Sequence, residues 1–187
     1  MNMFEKVKPS VNRKALRLDA VASANEAAAK WETPVAINQC LAHLIDLQAR
    51  NKMAHWTAKG GNFDGMHTMF SDFSNELGTI ADELSGRVVA LGGAPAWLPA
   101  TIARVSKLPP YPAGIALLTE HFEALVGSYD TASRYLPSVL AKVTRNGDHA
   151  TANAIARLAK VLDKQRHFIA SQIPVDWTTA PLQRSVS

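Results

Sequence analysis

The chain has 187 residues, 47% hydrophobic and 19% charged, enough for one domain built on a single core. Twenty Lys and Arg against sixteen Asp and Glu leave a net charge of +4, and all of it lies in residues 1–18, where Lys6, Lys8, Arg13, Lys14 and Arg17 face only Glu5. One cysteine, Cys40, excludes a disulfide scaffold, and the most apolar run, residues 88–103, is broken by Gly92, Gly93, Pro95 and Pro99, which excludes a membrane span. The basic start leads into no continuous apolar stretch, so no secretory signal is expected and the reducing cytoplasm is the expected compartment.

Residues 1–20 carry no sustained periodicity and read as a flexible basic tail. Residues 22–30 are alanine-rich and suit a short helix with little to bury. Thr33-Pro34 predicts a helix start, a hydroxyl cap followed by proline at the first helical position. Ile37, Leu41, Leu44 and Ile45 then repeat at helical spacing, with Leu47 and Gln48 sharing the next step, and the helix is expected to stop near Ala58, before Lys59-Gly60-Gly61. Asn62 or Asp64 can cap a second helix. Its stripe of Met66, Phe70, Phe73, Leu77, Ile80, Leu84, Val88 and Leu91 steps by three or four until Gly92-Gly93 ends it. A proline-rich stretch follows, with a short helix around residues 101–105. The third long helix is expected from near Gly114, carrying Leu118, Phe122, Leu125 and Tyr129, with Pro137 kinking or interrupting it. Asn146-Gly147 breaks the chain, Asp148 caps a fourth helix with Ile155, Leu158, Leu162 and Ile169 on its core face, and Pro174 closes it. No stretch alternates long enough to make a strand.

Short, long and short links between four helices give antiparallel neighbours and one long crossover. That is an all-α, ferritin-like four-helix bundle whose crossover carries a short helix. The expected organisation is a basic flexible tail over residues 1–30, the bundle over 31–173 and a C-terminal tail over 174–187.

Such bundles often hold two irons with a Glu-x-x-His pair on each of two helices, and no Glu-x-x-His occurs here. Instead the chain carries, in order, Ala54-His55-Trp56, Gly60-Gly61-Asn62-Phe63, Met66-His67, Arg87-Val88-Val89-Ala90-Leu91-Gly92-Gly93 and Leu108-Pro109-Pro110-Tyr111-Pro112. This string, spread over residues 33–173, resembles the Dps family, the DNA-binding mini-ferritins of starved cells. The resemblance implies a hollow homo-dodecamer that oxidises ferrous iron at sites shared between two subunits, stores the mineral inside and binds DNA without sequence preference. It makes His55 and His67 metal ligands from one subunit and Asp82 the first carboxylate from the two-fold partner. Two further positions lack their acid. Ser71 stands where an Asp is expected after His67, and Gly86 where a Glu is expected before Arg87. Asp72, about 100° round the helix from the first gap, and Glu83, about 60° off the second, are poor substitutes.

The resemblance also makes Trp56 an interface residue beside the site, with a second role as an oxidisable neighbour. Of the acids expected to line an iron entry pore it retains Asp148, while Ala150 and Asn153 stand where others would be. Thr68, Met69, Ser74 and Asn75 thin the acids of the inner wall in the same way. Ferrous iron prefers hard oxygen ligands beside imidazole, so these losses weaken entry, oxidation and storage together. Three functions stay open: a shell that binds and shields DNA through Lys6, Lys8, Arg13, Lys14 and Arg17 with reduced iron chemistry; an active ferroxidase using peroxide at a rebuilt inter-subunit site; and a structural or metal-sequestering subunit that co-assembles with a complete relative. Iron is the expected metal, and zinc or another divalent ion also suits the residual ligands. His43 with Asp46, and Asp163 with His167, read as exposed polar pairs one turn apart, and Cys40 as a buried apolar residue.

Overall fold

The computed structural model describes residues 13–61 and 63–174, with side chains from residue 31 onward except that of Phe63. Five helices follow in order: α1 (Arg13–Thr57), α2 (Phe63–Ala90), the short α3 (Pro99–Val105), α4 (Leu118–Arg145) and α5 (His149–Ser171). The chain is an all-α four-helix bundle with one long crossover, as its link lengths predict. α1 packs on α2 and α4, α5 packs on α4 and α2, and α3 lies against α1. The bundle is thus two helical hairpins, α1–α2 and α4–α5, joined by residues 91–117.

The apolar stripes meet in one core. Ile37, Leu41, Leu44, Phe70, Leu77, Leu84, Leu125, Tyr129, Ile155, Leu158 and Leu162 are all at most 1% exposed. The ambiguous step in α1 resolves by a close approach. Leu47 is buried, and Gln48 lies so near α2 that a Cβ on Gly78 would come within 2.6 Å of its Nε2. Glycine at 78 therefore sets how closely the two helices pass.

Three helix boundaries differ from the reading of the sequence. The backbone is helical from Arg13 and runs through Thr33-Pro34, so these residues do not start α1. The alanine-rich run before Pro34 has the strongest helix propensity available, and it carries the helix across the one amide that proline lacks. The Thr33 hydroxyl instead accepts a 2.8 Å bond from Asn146 Nδ2, tying α1 to the turn between α4 and α5. α4 begins at Leu118 rather than near Gly114, which sits in the crossover with φ +76°. Pro137 does not interrupt α4; it lies on an exposed face, where water can satisfy the carbonyl its ring leaves unpaired.

Candidate functional site

α1 ends at Thr57 and α2 begins at Phe63, so a short turn folds the last turn of one helix beside the start of the next. Two backbone bonds hold that turn. Lys59 N donates to Ala116 O at 2.7 Å and Leu118 N donates to Lys59 O at 3.1 Å, fastening it to the end of the crossover. His55 and His67 are thereby brought face to face, with ring centroids 3.5 Å apart and 25° between the planes. His55 Nδ1 lies 2.9 Å from the His67 carbonyl, and His67 Nδ1 lies 2.8 Å from the His55 carbonyl. A carbonyl only accepts, so each Nδ1 donates its proton, and it is the Nε2 lone pair that the neutral form of each ring offers. Reciprocal backbone bonds thus set the tautomer that a metal ligand requires. His55 is buried and His67 half-buried, while Trp56, 72% exposed, meets both rings edge-on at 4.8 Å and 6.1 Å.

Ser71 is half-buried one turn beyond His67 and offers a hydroxyl in place of an anionic oxygen. Asp82 is exposed further along α2, roughly 22 Å from His67 at 1.5 Å per residue, so it does not join the histidines within one chain. Among the described residues no group of three or more His, Cys, Asp or Glu is placed to hold a metal ion. Gly86 is exposed, and a Cβ built there would meet nothing within 4 Å. Glu83 does not fill that gap, because it pairs with Arg157 on α5. Asp72 is exposed to one side of Ser71.

Asp148 has work inside the chain. Its carboxylate accepts from Thr151 N at 3.0 Å, capping α5, from the Thr151 hydroxyl at 2.5 Å and from Arg87 at 3.0 Å. Burial alone would raise its pKa, but the Thr151 bonds and the Arg87 charge bring it below the ordinary carboxylate value. Of the basic residues, Lys6 and Lys8 fall outside the described residues, and Arg13, Lys14 and Arg17 lie on the first turns of the α1 backbone.

A buried polar layer near the histidine pair escaped the sequence reading. His121 is fully buried on α4, its Nδ1 2.7 Å from the Tyr111 hydroxyl and its Nε2 3.3 Å from Thr57 Oγ1. Thr57 donates its own proton to Met53 O, so His121 Nε2–H donates to Thr57 and Tyr111 donates to Nδ1. Burial lowers the His121 pKa and raises that of Tyr111 to about 12. Beside them Arg50 binds Asp46 through Nε and Nη2, and Pro109 O and Ser128 Oγ through Nη1, with its guanidinium 5.6 Å from the Tyr111 ring centre. The His43–Asp46 pair is therefore not an exposed one. His43 is 3% exposed, and Asp46 is claimed by Arg50 and the Ser106 hydroxyl. Asp163 and His167 are exposed and Cys40 is buried, as expected. The one sequence signal for His121 was its place three residues after Leu118 on the core stripe.

Four helices joined by a single long crossover, with facing histidines at the end of one hairpin, define a ferritin-like protein, and the ferritin-like domain matches residues 35–174. The chain is 29% identical over 137 residues to a DNA protection during starvation protein of Agrobacterium fabrum, a match spanning 73% of this chain and 85% of that one. It is 27% identical over 146 residues to the protein of the same name from Halobacterium salinarum, spanning 75% and 78%. The solved Dps homologue of Halobacterium salinarum superposes with a TM-score of 0.76 at 23% identity, over 82% of this chain and 86% of that one. DpsC from Streptomyces coelicolor does so with 0.76 at 20% identity, over 83% and 88%. Within the ferritin-like class, this chain belongs to the Dps family.

Proposed function

We propose that the chain is the subunit of a Dps-type homo-dodecameric shell that binds and shields DNA, binds and stores iron, and oxidises ferrous iron only weakly. The observation that carries the iron reading is the His55–His67 pair, whose reciprocal backbone bonds aim the lone pairs at Nε2. Iron enters as substrate. Two imidazoles, with Asp82 from the two-fold neighbour, supply enough donors for a divalent ion and leave open positions. Zinc fits the same donors. A ferric product calls for more anionic oxygen, and Ser71 and Gly86 supply none; this supports weak oxidation. Trp56, edge-on to both rings, is an oxidisable side chain beside them.

The DNA reading rests on Lys6, Lys8, Arg13, Lys14 and Arg17, repeated over many copies, and on relatives named for DNA protection. Many weak arms give avidity that one arm lacks. Contacts of this kind read phosphate charge, so log affinity falls with log salt by roughly 0.9 per contact and base sequence is not discriminated. No helix among the described residues is long and apolar enough to cross a membrane, and the reading places the shell in the cytoplasm on the nucleoid.

The test mixes assembled protein, ferrous iron and peroxide and follows ferric absorbance against the protein-free rate. A rate little above that background, with iron binding lost in His55→Ala, is expected. Fast oxidation abolished by His55→Ala would replace this reading with that of an active ferroxidase at a rebuilt site. A truncated chain starting at Asp19 should retard DNA poorly at low salt. Light scattering should show the dodecamer, and a stable monomer would remove any shared site.

A further inference from the structure

A cavity of about 220 Å³ opens between α1, the end of the crossover and α4, lined by Gln39, His43, Lys107, Thr131, Arg134 and Tyr135. It stands apart from the histidine pair, because His43 precedes His55 by roughly 18 Å along α1. His43 is its unusual member. Neither ring nitrogen has a hydrogen-bond partner among the described residues, although the side chain is almost wholly buried. Buried polar nitrogens are nearly always paired, so this ring is poised to meet an oxygen from a ligand.

The remaining lining says which kind of oxygen. Tyr135 packs edge-on against the His43 ring at 5.7 Å and donates its hydroxyl to Gln39 Oε1, leaving the Gln39 NH2 as a donor. The Thr131 hydroxyl proton goes to Gly127 O. Lys107 and Arg134 are exposed at the mouth, and neither forms an ion pair among the described residues. Asp46, the carboxylate acting on His43, is occupied by Arg50 and Ser106. Two cations without counter-charge, an amide donor and an unpaired imidazole thus converge on one small space.

We propose that this cavity binds a small tetrahedral oxyanion of the phosphate class, gripped by Lys107 and Arg134 at the mouth and seated against His43. The anion is either free in solution or a phosphate of a nucleic-acid backbone; the chemistry of recognition is shared. Binding is coupled to protonation. His43 faces Asp46 and Arg50 on its own helix, Lys107 from the crossover, and Arg134 and Tyr135 from α4. Burial, followed by Arg50 and Lys107 against an opposing Asp46, keeps the empty-site ring neutral. An entering anion offsets those cations and favours the protonated ring, so His43 takes up protons as the anion seats, up to about one for a free dianion and less for the singly charged phosphodiester of a nucleic acid.

Sodium sulfate is the probe, since it stays dianionic through the neutral range, with inorganic phosphate as competitor. Calorimetry on the full-length assembled protein, in buffers of different ionisation heat, reads affinity and proton uptake together. Saturable binding, tighter at lower pH and accompanied by proton uptake, is expected. Lys107→Ala with Arg134→Ala, both at exposed side chains, should weaken sulfate roughly ten-fold or more, the effect of losing two charge-assisted contacts. His43→Gln should retain some affinity but lose the proton uptake and the pH dependence. If the double variant also weakens DNA binding with the basic tail intact, the anion is a nucleic-acid phosphate. If DNA binding is unchanged, it is a free anion. Heat that does not saturate, or sulfate affinity that survives the double variant, overturns the site.

Discussion

Gly86 separates what the helix wants from what a metal wants. It lies inside α2, exposed, with open space where a Cβ would project. Gly86→Ala therefore meets no steric cost, and the helix preference of alanine should stabilise the fold by ~1 kcal/mol. Gly86→Glu gains less, ~0.5 kcal/mol, because glutamate is the weaker helix former. It also adds a like charge one turn from Asp82, which costs ~0.2–0.5 kcal/mol, so its net effect on folding should be near zero. Iron should rank the variants the other way. Alanine adds no ligand and should leave oxidation unchanged. Glutamate restores an anionic oxygen beside Asp82, and with Ser71→Asp the double variant should bind iron more tightly and oxidise it faster than either single change. Denaturant unfolding followed by helical circular dichroism gives the first ranking, and stopped-flow ferric absorbance the second. A correctly assembled Ser71→Asp, Gly86→Glu protein that oxidises at the native rate would refute the ligand argument. So would an alanine variant that accelerates as much as the glutamate one.

Asp148→Ala should destabilise the fold by ~1–2 kcal/mol at neutral pH, since it removes the cap of α5 as well as the Arg87 pair. The folded carboxyl titrates below its ordinary value, so this contribution is complete above the unfolded pKa near ~3.9 and is lost as pH falls through the folded one; native and variant unfolding midpoints should converge in acid. Tyr129→Phe should cost ~1–3 kcal/mol by denaturant titration, because the buried hydroxyl donates to Gln165 at 2.7 Å and accepts from Asn51 at 3.0 Å. Burial lowers the pKa of both His43 and His121, so the unfolded chain takes up protons the folded one declines. Stability should begin to fall below pH ~6.5 and continue down to the folded pKa values, and a His121→Asn variant should show a shallower fall over that window.

The bundle was legible because each long helix repeats its apolar residues at three or four steps, and burial follows that repeat from Ile37 to Ile169. Thr33-Pro34 misled because a cap and a proline are local signals, whereas the continuity of α1 depends on the alanine-rich residues before them and on Asn146 from across the bundle. His55 and His67 were singled out by the family resemblance, and the glycine turn between them brings their rings face to face. Their tautomers were not legible, since those depend on two carbonyls that meet the rings only once the hairpin closes. His43 was misjudged for a different reason. A partner one turn away looks available in sequence, but Arg50, one turn further, binds Asp46 first and both ring nitrogens are left without a hydrogen-bond partner among the described residues. His121 hides in the same way, because its partners Tyr111 and Thr57 come from the crossover and from α1.

The pair of backbone bonds at Lys59 turns residues 59–117 into a closed circuit with no covalent link at its ends. The turn that carries the histidines is latched to the last residues of the crossover, not to its tip. Pro112, Ala113 and Gly114 form an exposed stretch just before the latch. An inserted peptide there would lengthen the circuit without opening it, since loop length is thermodynamically cheap and exposed loops tolerate change. The two hairpins would remain docked, and the facing imidazoles would keep their spacing. That exposed stretch is thus the place where a foreign segment can be carried on this protein while the histidine pair stays undisturbed.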